Sequence, residues 1–398
     1  MPFSMHVVRW MSLLTNANWD LHFFSSFPYA KPHAELPTLV FHDYFYNFSR
    51  KSNRNITYAD HSGRKMVIKH EKLGKWVGKG YRFLGLQKKY QDSLLQLVRE
   101  IKPDIIHSME SQHGGYMVTG VMDQLRKTGE SPVWIHTTFG IDLDYFMHFP
   151  DHKEKLTEMF KGVDLYLAEG KRDVNYAQAL GFKGKYDIFA SAGGGYRMED
   201  FAAWKNSRPS ERKLIVVKGY QDSVRRGLVA MRAITRCKDI LKGYEIFAYS
   251  CAKEVSDYIA YCNDKEGMDI KIFKETNYEN WLQFLSNARI SITNNLSDGI
   301  PSSFFESMLM GAFPIQSKSS CTDEWIVNGK TGFLVEPEDP ECIENAIRQA
   351  IQNDQLVDSA AMANHDMIAG QLEFEKVKMA VHLMYEQSLK KNQPTPSP

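Results

Sequence analysis

Short apolar, β-rich runs alternate with longer stretches of helical period almost from one end of the chain to the other. The runs lie at 38–44, 104–108, 132–138, 164–168, 187–190, 214–217, 245–249, 270–273, 290–293, 313–316 and 332–335. They are continuously apolar rather than alternating, which marks strands covered on both faces. Strand–helix alternation of this kind builds parallel sheets flanked by helices, an α/β fold. Roughly ten strands exceed one comfortable open sheet, so the pattern predicts two doubly wound domains. A polar stretch with a proline, 202–213, precedes a new strand and marks the boundary. This predicts a first domain at 1–200 and a second at 201–371. A long helical pattern, about 355 to 390, has its end (about 372–390) packing back on the first domain, and a polar tail at 391–398 is expected to be disordered. The run Ala192-Gly193-Gly194-Gly195-Tyr196 reads as a flexible turn, suited to a hinge or to close approach of a ligand.

Composition narrows this picture. The 398 residues carry ordinary shares of hydrophobic and charged residues, 43% and 24%, so a disordered, collagen-like or coiled-coil chain is excluded. No apolar run of about 18 residues predicts a transmembrane helix, and 1–20 has no basic segment leading an apolar one, so no signal peptide is expected. The five cysteines fall in the C-terminal half and form no Cys-x-x-Cys, which signals neither a disulfide framework nor a zinc site and fits the cytoplasm. The net charge of +1 hides an asymmetry: 50–102 holds fourteen Lys and Arg against four acids, a local charge of +10. A segment this basic suits an anionic surface or ligand. Its interleaved apolar residues point to an anionic membrane or a lipid-phosphate acceptor, although a solvated loop is the plainer reading. No nucleic-acid recognition motif is present.

The chemistry concentrates in 290–335. A strand ends in a polar loop, Asp298 and Gly299 follow, and Pro301 is placed to open a helix as its first residue. The N–H groups of Ser302, Ser303 and Phe304 would then face the carboxyl edge of the sheet, an anion site where open α/β sheets bind ligands. Glu306 lies about one turn on, where a carboxylate can accept bonds from vicinal hydroxyls such as those of a ribose. The plainer alternative is a capping Asp298 and a solvated Glu306.

Asp298, seven residues, Glu306, then Met308, Gly311, Pro314, Glu324, Gly329 and Gly332 resemble the C-terminal signature of retaining GT-B glycosyltransferases of family four, the glycosyl transferases group 1. The first acid of that signature is usually Glu; here it is one methylene shorter. The resemblance implies two Rossmann-like domains facing across a cleft. It also implies that Asp298 contacts the donor sugar beside the reacting carbon, that Gly299, Ile300, Pro301, Ser302 and Ser303 line the donor, and that Glu306 binds its ribose. After the first strand of the second domain the family carries Gly-Arg-x-x-x-x-Lys-Gly. Here that site holds Lys218-Gly219-Tyr220 and, one residue late, Arg226-Gly227, so Lys218 and Arg226 are the candidate phosphate groups and Arg225 a weaker one.

In the first half, Asp104-Ile105-Ile106-His107-Ser108-Met109 resembles the family's Asp-x-x-His-x-His strand end, with Met109 at the second His. His107 is thus a candidate catalytic residue; His113 and His136 are weaker ones. The loop 136–142 resembles another family loop and makes Asp142 a candidate for contact with acceptor or donor. Asp142-Leu143-Asp144 also matches a short Asp-x-Asp metal motif, but the resemblance implies a metal-independent fold and no cofactor. The family begins with a strand before its first loop and helix, whereas residues 2–10 already resemble that loop and helix. Either the true start lies upstream or the sheet is one strand short.

The implied activity is transfer of a sugar from a nucleotide-sugar donor to a glycan or lipid-linked acceptor, with retention, in bacterial surface polysaccharide synthesis. The implied location is cytoplasmic and peripheral on the inner face of the membrane. A nucleotide-sugar epimerase of the same architecture and a non-catalytic nucleotide-sugar-binding relative stand as alternatives.

Overall fold

The structure is a computed structural model, and it describes residues 5–15, 18–26, 33, 35–43, 56–60, 76, 87–190, 194–274 and 277–390. Most of the basic stretch 50–102, much of the glycine turn and the tail 391–398 lie outside the described residues, as do the expectations attached to them. The chain divides into two units, Met1–Gly194 with Val377–Pro398, and Gly195–Lys376.

The first unit opens with the helix Met5–Leu13 and holds two parallel sheets. One contains β1 (His22–Phe24), β2 (Leu39–Asp43) and β3 (Ile56–Asp60), in that order. The other contains β4 (Ile105–Met109), β5 (Val133–Thr137), β6 (Leu165–Ala168) and β7 (Lys185–Ile188). β3 was not expected, because Ile56–Asp60 sits among basic and polar residues and has no continuous apolar run. Among the described residues β1 and β4 each pair with a strand on one side only. β5 and β6 are buried throughout, as parallel strands covered on both faces are, and β6 is apolar along its whole length. Trp134, Phe160, Tyr166 and Leu143 fill the core beside them.

The second unit is one six-stranded parallel sheet in the order β10-β9-β8-β11-β12-β13. Its strands are β8 (Leu214–Lys218), β9 (Glu245–Tyr249), β10 (Ile270–Ile272), β11 (Ala288–Thr293), β12 (Phe313–Ser317) and β13 (Phe333–Val335). Ile215, Val217, Ile290, Ile292 and Ile315 point into a core closed by the helices Gly227–Arg236 and Pro340–Gln352. The single C-terminal helical pattern is in fact two helices, Asp354–Leu372 and Phe374–Lys390. Glu373 between them is extended (φ −61, ψ 136), and Tyr196 enters the break: its N–H donates to Leu372 O (2.7 Å) and its carbonyl accepts from Phe374 N (2.9 Å). A backbone partner from a remote segment carries no helical-period signal, which is why the break was not legible.

Candidate functional site

The strand order of the second unit reverses between β8 and β11, and loops leaving the two strands diverge there. That is the place where open α/β sheets take ligands. Lys218 ends β8 and pairs in register with Tyr249, the last residue of β9. Thr293 ends β11, one position beyond the Ile292–Val217 pair. Thr293, Lys218 and Tyr249 thus form one row across three strand ends, on one face of the sheet.

Two loops frame the row. After β8, Gly219 and Gly227 meet closely: a Cβ on Gly227 would lie 2.6 Å from Tyr220 O, and one on Gly219 would lie 2.6 Å from Cys251 Sγ. Only glycine allows that approach. After β11, Asn295 Nδ2 donates to Asp298 (3.1 Å), as does the Gly299 N–H (3.0 Å). Pro301 is the extended N-cap of the helix Ser302–Leu309, not its first residue. The Phe304 N–H, expected to face a ligand, donates to Pro301 O at 2.9 Å. The expected donor amides are therefore narrowed to the helix's first two positions, Ser302 and Ser303, and Gly299 and Ile300 before them are buried.

Glu306 is buried, not solvated, with 4% exposure. Its carboxylate accepts from Trp281 Nε1 (2.8 Å) and Tyr278 Oη (3.4 Å). These two aromatics sit three apart on the helix Tyr278–Leu285, which puts them on one face. The ammonium of Lys218 lies over the Tyr220 ring, 5.1 Å from its centre. Burial pushes the Lys218 ammonium below the usual lysine range, while the charges of Asp298 and Glu306 draw it partly back. The structure thus gathers Lys218, Asp298, Glu306 and the N-terminus of Ser302–Leu309. Arg226 is engaged differently: its Nε donates to Glu338 (2.5 Å) and its Nη1 to Asp222, Ser223 and Arg225 carbonyls. It braces the β8 loop, and Arg225 is likewise bound to Asp222.

The candidates of the first unit are inward-facing. His107 is ringed by Trp10 and by Tyr385 of the last helix. Trp10 Nε1 donates to Tyr385 Oη (2.9 Å), and the His107 ring is hydrogen-bonded at both nitrogens, Nδ1 with Tyr385 Oη (2.5 Å) and Nε2 with Thr137 Oγ1 (2.8 Å). Both ring nitrogens are thus engaged within this unit. Burial, with the nearby His136, lowers its pKa to about 3. The neutral ring is needed for folding, so its contribution is complete above the unfolded value near 6.5 and declines as pH falls toward 3. The stability gap between wild type and His107→Gln should therefore be smaller at pH 4.5 than at pH 7 in urea unfolding; an unchanged gap would refute a neutral, committed imidazole.

Asp142 is also taken up internally. It accepts from Phe139 N (2.7 Å), Ser111 N (2.8 Å) and Ser111 Oγ (3.1 Å), and burial, with the charge of Glu110, raises it to about 7. Asp144 turns instead to Arg172 (3.5 Å), so the Asp-x-Asp pair does not converge. Among the described residues no three His, Cys, Asp or Glu are grouped to hold a metal. Glu110 was missed from sequence. It follows β4 with φ +66, unusual for a side-chain-bearing residue, and accepts from the amides of Gln112 (3.0 Å) and His113 (2.8 Å) and from His113 Nδ1 (3.0 Å). Burial pushes its carboxyl up, but the His113 ring and these amides outweigh burial and hold it below the ordinary range. Trp281, Tyr278 and Tyr249 were missed too. Nothing in their spacing separates them from core aromatics.

Two parallel-sheet units of this kind define a GT-B fold. Several solved structures share it. Sucrose-phosphate synthase of Thermosynechococcus elongatus superposes with a TM-score of 0.70 at 13% identity, over 98% of this chain and 94% of that one. A glycosyltransferase of Rickettsia africae gives 0.62 at 14% identity, over 98% and 94%. Anabaena HepE, solved in complex with UDP-glucose, gives 0.60 at 11% identity, over 88% and 92%. Residues 262–365, within the second unit, match the family model described as glycosyl transferases group 1. A sequence comparison with curated proteins finds no match. No helix among the described residues is long and apolar enough to cross a membrane.

Proposed function

We propose that this chain transfers a sugar from a nucleotide-sugar donor to a glycan or lipid-linked acceptor, with retention at the anomeric carbon, in bacterial surface polysaccharide synthesis. The observation that carries the reading is the meeting of Lys218, Asp298 and Glu306 beside the helix N-terminus at the strand-order reversal. Lys218 and the helix dipole offset the charge that develops on the leaving diphosphate. Glu306, steadied by Trp281 and Tyr278, accepts from ribose hydroxyls, and Asp298 lies beside the sugar. In the step itself the bond from the anomeric carbon to the diphosphate oxygen breaks. The acceptor oxygen bonds to that carbon from the same face, and the acceptor proton passes to the leaving phosphate. No metal takes part in this scheme.

A panel of UDP-, GDP- and ADP-sugars, screened first by thermal shift and then with candidate acceptors, tests it. One donor should raise the melting temperature. The product's anomeric proton coupling should match the donor's, and chelation should leave the rate unchanged. An inverted product would overturn retention. Rearrangement of the donor with no acceptor present would point to an epimerase instead, and tight donor binding without turnover to a non-catalytic relative.

A further inference from the structure

Tyr249 has a hydroxyl that the protein itself does not use. The residue is 6% exposed, and its ring is clamped by Trp281, 4.8 Å between centres, so the direction of its hydroxyl is set. The hydroxyls of Ser303 and Thr293 lie near enough to draw its pKa partly back down, yet neither meets hydrogen-bond geometry with it, and the buried Ser303 Oγ likewise has no hydrogen-bond partner. Leaving a buried hydroxyl unpaired costs about 1–3 kcal/mol, so two orphans side by side call for a reason. Their surroundings supply one. Lys218 is the register partner of Tyr249, and Ser303 is in the first turn of Ser302–Leu309, where the helix dipole favours an anion.

We propose that the Tyr249 hydroxyl is a donor-binding group that, with Ser303 Oγ and the Lys218 ammonium, takes a phosphate of the nucleoside diphosphate. The proposal rests on the nucleotide-sugar reading above and adds to it a residue that no part of that reading contains. Burial pushes the phenol up to about 12, so it keeps its proton at working pH and can only be a donor to a phosphate oxygen. Ser303 supplies a second hydroxyl and Lys218 the charge. The unmet hydroxyls of Tyr249 and Ser303 then each supply one half of a hydrogen bond to that phosphate.

Tyr249→Phe and Ser303→Ala test the assignment by calorimetric titration with UDP, GDP and ADP, alongside urea unfolding without ligand. Each variant should bind whichever diphosphate the wild type binds about tenfold or more weakly, the scale of a lost hydrogen bond to a charged group. Each should unfold at the same urea concentration as wild type or a higher one, because no intramolecular bond is lost. Wild-type affinity in Tyr249→Phe would overturn the proposal alone. So would a fall in its urea midpoint, which would show the hydroxyl bonded within the protein. Failure of the wild type to bind any of the three diphosphates would overturn this proposal and the nucleotide-sugar reading together.

Discussion

Transfer by Lys218→Ala should fall by about two to three orders of magnitude in kcat, the effect of removing one preorganised group from a charge that develops in the transition state. Two carboxylates, Asp298 and Glu306, lie within electrostatic reach of the ammonium. Without it they face an incoming diphosphate uncompensated, so donor affinity should drop as well. Lys218→Arg keeps the charge but not the point geometry, and should recover binding better than rate. The pH dependence follows from the same contacts. Burial lowers the lysine's pKa and the two acids raise it partly back. Activity should therefore decline on the alkaline side as the ammonium loses its proton, and Glu306→Gln, by removing a charge that favours the ammonium, should move that decline to lower pH. An alanine variant with near wild-type kcat, or an alkaline limb that Glu306→Gln leaves in place, would remove Lys218 from the chemistry.

The largest effect on stability should come from Arg212→Ala. Arg212 is 4% exposed, and its guanidinium donates to four main-chain carbonyls: Ala288 (3.1 Å), Met310 (2.6 Å), Trp204 (2.7 Å) and Ser207 (2.9 Å). Burial lowers its pKa only to about 10, so it stays charged at neutral pH. Truncation leaves those carbonyls without their donor and opens a void, a loss of about 3–5 kcal/mol. Arg212→Lys cannot reach all four and should fall between the two. Urea midpoints of the three proteins measure this, and an alanine variant within about 1 kcal/mol of wild type would sink it. Because Met310 caps the helix Ser302–Leu309, loss of this brace should also loosen the far end of the helix that presents Ser303.

Much of this architecture was legible because buried parallel strands cannot hide. β5, β6, β11 and β12 are buried on both faces, and β6 and most of β8 appear in the sequence as unbroken apolar runs. The acid pair was legible for a similar reason: Asp298 and Glu306 are fixed by a strand end and one turn of helix, both local. What stayed illegible depends on partners remote in the chain. His107 has the residue type and strand-end position of a catalytic group, and its contacts with Trp10 and Tyr385, remote in the chain, are visible only in the structure. Arg226 is basic at the expected place, but Glu338, 112 residues away, occupies it. Pro301 differs by one position, enough to turn a presumed free amide at Phe304 into a turn bond. Tyr249 is the converse: an ordinary core tyrosine by pattern, whose unmet hydroxyl is visible only with the neighbours in place.

The first unit is assembled from two stretches of sequence far apart, Met1–Gly194 and Val377–Pro398. Trp10 bonds to Tyr385 across a separation of 375 residues, and His382 bonds to Leu13 O across 369. During synthesis the contiguous second unit has its whole sequence available before the first unit does. Until the final helix emerges, the indole of Trp10 and the imidazole of His107 must wait in an incomplete core. Contacts between segments this far apart carry the greatest closure entropy and lie among those that form latest. Quality control thus falls on 377–390: a ribosome that stops short of this segment leaves the first unit without the helix that closes its core, although the remainder of that unit, before 195, has already been translated.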